Sequence, residues 1–94
     1  MKHRILVVDD SSSLVSILSE LLKFNGFEVE TALSGTEALH KIESEDYDLV
    51  ICDIEMPGMS GLEFLSRVRR DYEKDIAFIL MTGYADNEYF IEAI

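Results

Sequence analysis

Residues 49–53 read Leu49-Val50-Ile51-Cys52-Asp53, four apolar side chains followed at once by a carboxylate. Residues 5–10 repeat the arrangement as Ile5-Leu6-Val7-Val8-Asp9-Asp10. Apolar runs this short, rich in Val and Ile, suit strands buried on both faces, the habit of parallel sheets covered by helices. A third run, Ile76 to Met81, stops at Thr82. A fourth candidate, Phe27 to Ala32, alternates Phe27, Val29 and Thr31 with Glu28 and Glu30, as an edge strand with one wet face would.

Between these runs the period becomes helical. Leu14, Ile17, Leu18, Leu21 and Leu22 form one apolar stripe, which Gly26 ends as a left-handed cap. Ser34-x-x-Glu37 is a capping-box pattern ahead of Ala38, Leu39 and Ile42, and Ser60-x-x-Glu63 repeats it ahead of Leu62, Leu65 and Val68. Asp86 is read as the cap of a last helix carrying Phe90, Ile91 and Ile94. The expected order is β-α-β-α-β-α-β-α, and right-handed crossovers make it an α/β doubly wound parallel sheet. Ligands of such sheets bind beyond the carboxyl ends of the strands, where strand order reverses.

The chain of 94 residues has room for one domain, residues 1–94. Its apolar share of 48% rules against disorder. Nineteen acidic residues against 8 basic ones leave a net charge of −11, which repels phosphate backbones and anionic membranes, so neither is an expected partner. Cys52 has no internal disulfide partner and is read as a small buried side chain. The basic start Met1-Lys2-His3-Arg4 is followed by only four apolar residues before Asp9, too few for a secretory segment or a membrane span. A cytoplasmic location is expected. His3 and His40 are isolated and read as surface positions.

Asp9 and Asp10 follow the first strand, Asp53 the third and Thr82 the fourth. With strand order 2-1-3-4, strands one and three are neighbours, and three carboxylates and a hydroxyl converge on one edge. Asp9 or Asp10 alone would serve equally as a helix cap; three aspartates on adjacent strand ends argue for a site. Two such charges about 4–5 Å apart repel by roughly 3–4 kcal/mol at an effective dielectric near 20. A folded chain answers that with raised pKa values or with a cation. Oxygen-only donors favour Mg²⁺.

Asp9-Asp10, the segment Asp53-Ile54-Glu55-Met56-Pro57-Gly58-Met59-Ser60-Gly61 and the pair Thr82-Gly83 together resemble the response regulator receiver domain of two-component signalling, over the whole chain. The resemblance implies a flavodoxin-like sheet and a phosphoacceptor role for Asp53, with a histidine kinase or phosphotransfer protein as donor. It implies that Asp10 binds Mg²⁺ directly and Asp9 through a metal-bound water, while the backbone carbonyl of Glu55 completes the metal site. Thr82 would bond a phosphoryl oxygen. Such a domain is no turnover enzyme; it assists its own phosphorylation and dephosphorylation. Pro57 and Gly58 shape the loop presenting Glu55, and Tyr84 would lie beside the path of water to the phosphoaspartate.

Receivers normally add a fifth strand ending in a lysine, with a switch aromatic, and a fifth helix. Here no lysine follows strand four, so the chain is expected to be a C-terminally incomplete receiver lacking its fifth strand. Strand four would then be an open edge inviting self-association. The runner-up function is a receiver-like interaction module that is not phosphorylated. An aspartate-nucleophile phosphatase would leave Asp9 and Asp10 unexplained. A nucleotide module cradling phosphate on Ser11-Ser12-Ser13 would place it beside two carboxylates.

Overall fold

The computed structural model describes residues 2–83 and 89–93, with side chains described through Met81. The elements are β1 (Arg4–Val8), α1 (Ser12–Phe24), β2 (Glu28–Ala32), α2 (Gly35–Ser44), β3 (Leu49–Asp53), α3 (Gly61–Asp71), β4 (Ala77–Gly83) and β5 (Tyr89–Ala93). The sheet order is β2-β1-β3-β4-β5. The first four strands are parallel, in the expected order 2-1-3-4, and β2 is an edge.

Two expectations are corrected at the far side of the sheet. Residues 89–93 form a strand antiparallel to β4, in register Ile79↔Ala93 through Gly83↔Tyr89, where the last helix was expected. An exposed β4 edge would leave a row of backbone N–H and C=O groups without partners, and Tyr89, Phe90 and Ile91 are good strand formers. Pairing satisfies that row and extends β4 through Thr82 and Gly83, so both lie in the strand rather than after it. β4 is consequently not the open edge expected. Asp86, Tyr84 and Ile94 lie outside the described residues.

Side-chain alternation splits the core in two. Leu6, Val8, Val50, Cys52, Phe78 and Leu80 face α2 and α3, packing on Ala38, Ile42, Phe64, Leu65 and Val68. The Phe64 and Phe78 rings meet with centroids 5.6 Å apart. On the other face Ile5 and Val7 meet Val15, flanked by Leu18, Leu22, Val29, Leu49 and Ile51. Because α1 is the sole helix on that face among the described residues, its apolar stripe divides. Leu18 and Leu22 turn inward, while Leu14, Ile17, Leu21 and Phe24 are exposed.

The serine and glycine caps form at the helix ends, while among the described residues the reciprocal bond of a capping box forms at neither Ser34 nor Ser60. Ser11, Ser34 and Ser60 occupy the N-caps, accepting from the amides of Leu14, Glu37 and Glu63 at 3.3, 3.1 and 3.1 Å. Glu37 reaches back to the amide of Leu33 at 3.0 Å rather than to that of Ser34. Gly26 ends α1 at φ +93°, a conformation that only glycine adopts without strain.

At the amino end of the sheet Arg4 is a hub. Its guanidinium donates to Glu30 at 2.5 Å, Glu45 at 2.9 Å and the carbonyl of Asp46 at 2.9 Å, and it lies 5.0 Å from the centroid of the Tyr47 ring. These contacts tie β1, β2 and the α2–β3 connection together, and leave the carboxyl ends of the strands free for a site.

Candidate functional site

The register brings the aspartates together. Val8 pairs with Cys52, so the next residues outward, Asp9 on the β1 side and Asp53 at the end of β3, emerge side by side. The ladders continue past them, through the Asp9 amide to the Ala32 carbonyl at 3.1 Å and the Ile54 amide to the Met81 carbonyl at 2.8 Å. Asp9, Asp10 and Asp53 each offer a carboxylate oxygen, and these oxygens all lie within 4.8 Å of one another. Asp9 is buried, Asp53 half-buried and Asp10 exposed, so the cluster opens to solvent on one side.

Two backbone amides hold the carboxylates in place. The Ser11 amide donates to Asp9 Oδ1 at 2.9 Å, and the Glu55 amide donates to Asp53 Oδ1 at 3.2 Å. Both are the turn an aspartate makes with the amide two residues on. The Ser11 contact was missed in the sequence, although an Asp at a strand end with two polar residues after it is its signature. Glu55 is exposed, two residues past Asp53, where its place in the loop was expected. The Thr82 backbone continues β4, while its side chain lies outside the described residues.

The electrostatics are those of uncompensated negative charge. Burial pushes the Asp9 carboxyl up, and the charges of Asp53 and Asp10 add to this against the opposing Ser11 amide. Burial likewise raises Asp53, reinforced by Asp10 and Glu55 and offset in part by the amides of Glu55 and Ile54. The same field reaches Cys52, whose thiol is pushed up to about 12 by burial and then by Asp53 and Asp9. Cys52 is fully buried, as expected, and its thiol donates to the Asp53 carbonyl at 3.2 Å. Among the described residues no lysine or arginine pairs with any of the three aspartates. Three hard oxygen donors, open on one side and short of positive charge, fit a divalent cation such as Mg²⁺ that keeps part of its water.

Comparison with known proteins agrees with this geometry. The chain matches the response regulator receiver domain over residues 5–94. It is 39% identical over 90 residues to the transcriptional regulatory protein ZraR of Klebsiella oxytoca, covering 96% of this chain and 20% of that protein. It is 33% identical over 93 residues to the sporulation initiation phosphotransferase F of Bacillus subtilis, covering 99% of this chain and 74% of that one. Among solved structures it resembles the response regulator TrrA of Thermotoga maritima in complex with Mg²⁺-BeF, with a TM-score of 0.81 and 50% identity, covering 92% of this chain and 73% of that one. The chain thus spans about a fifth of ZraR but about three quarters of the other two. By fold, by the carboxylates at its strand ends and by sequence, this chain belongs to the response regulator receiver domain family.

Proposed function

We propose that Asp53 accepts a phosphoryl group from the phosphohistidine of a sensor histidine kinase or a phosphotransfer protein. The observation that carries the reading is the convergence of Asp9, Asp10 and Asp53 within 4.8 Å at the ends of adjacent strands. A carboxylate oxygen of Asp53 attacks phosphorus, the P–N bond to the donor imidazole breaks, and the imidazole nitrogen leaves with the bonding electrons. Transfer of this kind depends on positioning and on neutralising the phosphoryl oxygens more than on covalent help from the protein. The Glu55 amide orients the attacking carboxylate through its other oxygen. Asp10, Asp9 through a water, Asp53 and the Glu55 carbonyl would hold Mg²⁺, which when bound supplies positive charge against both the carboxylates and the incoming phosphoryl group. Thr82 would take a phosphoryl oxygen.

The domain acts as an acceptor in signal relay rather than as a turnover enzyme, in the cytoplasm. Among the described residues no helix is long and apolar enough to cross a membrane. The donor has an apolar surface available next to the site: α1 begins three residues after Asp9 and displays Leu14 and Ile17 in its first turns, with Leu21 and Phe24 further along the helix. Acetyl phosphate with Mg²⁺ replaces the donor in the test. Intact mass should show one added phosphoryl group on the wild-type chain and none on Asp53→Asn; an unmodified wild-type chain, or a stable adduct on the variant, overturns the assignment.

A further inference from the structure

Gly61 is the first residue of α3 and is buried, with its amide donating to the Ile54 carbonyl at 2.8 Å. A Cβ at this position would lie 2.3 Å from the Asp53 carbonyl oxygen, 2.9 Å from Ile54 Cα and 3.0 Å from the Asp53 carbonyl carbon. All three are backbone atoms, and the peptide they belong to is anchored in the sheet by the Ile54 amide on the Met81 carbonyl. Non-bonded heavy atoms rest about 3.5 Å apart, so a methyl group at 61 requires roughly 1 Å of movement between the helix start and this peptide. The contrast with Gly35 is instructive. A Cβ there would meet the Met59 side chain, its nearest atom a sulfur at 2.9 Å, and a flexible thioether can turn away.

We propose that Gly61 is a positioning residue for Asp53. Its missing side chain lets α3 bear directly on the Asp53–Ile54 peptide, which fixes the Asp53 carboxylate relative to Asp9 and Asp10. The inference rests on reading Asp53 as the phosphoacceptor. Nothing in the backbone conformation of Gly61 demands glycine: it is absent from the positive-φ positions, which are Gly26 and Gly58. Its requirement is the space occupied by the acceptor's own main chain.

The test compares wild type, Gly61→Ala and Val68→Ala, the last removing a fully buried α3 side chain away from the Asp53 peptide. Three quantities are read: the amide resonance of Glu55 in metal-free protein, Mg²⁺ affinity by calorimetry, and the rate of phosphoryl uptake from acetyl phosphate at saturating Mg²⁺. Gly61→Ala should shift the Glu55 amide, which reports directly on Asp53 Oδ1, and weaken Mg²⁺ binding about tenfold. A displacement of this size should slow phosphoryl uptake roughly a hundredfold. Val68→Ala should lose stability and keep all three readings. A folded Gly61→Ala indistinguishable from wild type overturns the proposal, as does a Val68→Ala that matches its losses. If Gly61→Ala unfolds, the measurements are repeated in trimethylamine oxide, which favours the compact state; a variant still unfolded there shows a requirement of the whole fold and overturns the positioning role. A wild-type chain that binds no Mg²⁺ and takes no phosphoryl group sinks the functional reading instead, and the Glu55 resonance still decides whether Gly61 places Asp53.

Discussion

The Asp53 carboxyl is raised first by burial and then by the charges of Asp10 and Glu55, with two amides holding it down. A carboxyl whose pKa is raised on folding binds its proton more tightly in the folded state, so ionising it at neutral pH costs stability. Asp53→Asn should therefore stabilise the metal-free chain, by removing a desolvated charge and by relieving repulsion, together on the order of 1–3 kcal/mol at an effective dielectric near 20. Millimolar Mg²⁺ should close that gap by stabilising wild type far more than the variant. Thermal unfolding with and without Mg²⁺ reads both effects, and a wild type that outlasts the variant in the absence of metal contradicts the argument. At the opposite end of the sheet the sign reverses. The Arg4 guanidinium holds Glu45 below the usual carboxylate range. Stability from a depressed carboxyl is present above its unfolded value, near 4.5, and is lost as pH falls through the folded value. Arg4→Met should flatten that acid limb while leaving Mg²⁺ affinity unchanged, which denaturant titrations below pH 5 and calorimetry at neutral pH will show.

At the scale of elements, α3 carries the heaviest duty. Its N-cap Ser60 leads straight into Gly61 against the Asp53 peptide, and its buried face, Phe64, Leu65 and Val68, seals the core under β3 and β4. Ser60→Ala removes an acceptor from the Glu63 amide and should cost about 1 kcal/mol. Phe64→Ala removes a fully buried ring that meets Phe78 and should cost about 3–5 kcal/mol. Urea midpoints at constant slope measure both; equal losses would mean that the core under α3 is looser than its burial indicates. α2 is held differently, its last turn capped from outside by Lys74, which donates to the carbonyls of Ile42 and Glu45 at 2.6 and 3.1 Å. The connection after α3 thereby helps to secure α2.

For the molecule as a whole, the balance of 19 acidic and 8 basic residues is the dominant electrostatic fact. Local ion pairs such as those of Arg4 are weakened by salt, but self-repulsion at a net charge of −11 is relieved by it. The metal-free chain should therefore melt at a higher temperature in about 0.5 M salt, where the Debye length is roughly 4–5 Å, than at about 0.01 M, where it is roughly 30 Å. A melting temperature that drops on adding sodium chloride would mean that the ion-pair hub outweighs the excess charge.

What the sequence determined by itself was whatever depends on near neighbours. Run length and residue type mark the strands of Ile5–Val8 and Leu49–Cys52, period marks the first three helices, and Ser34 and Ser60 mark where two of them start, because burial pattern and capping act within a few residues. With the strands came the three aspartates at their ends, and the motif around them placed the chain in its family. Only the tertiary structure decided what depends on partners distant in the chain. The register Val8↔Cys52 makes Asp9 and Asp53 neighbours rather than merely similar. The fate of residues 89–93 followed from the unpaired edge of β4, which local propensity does not encode. The division of the α1 stripe followed from how much sheet one helix can cover. Gly61 could be read as a glycine but not as the residue that lies against Asp53, since that contact exists only once α3 has docked on the end of β3 and its packing has left no room for a side chain.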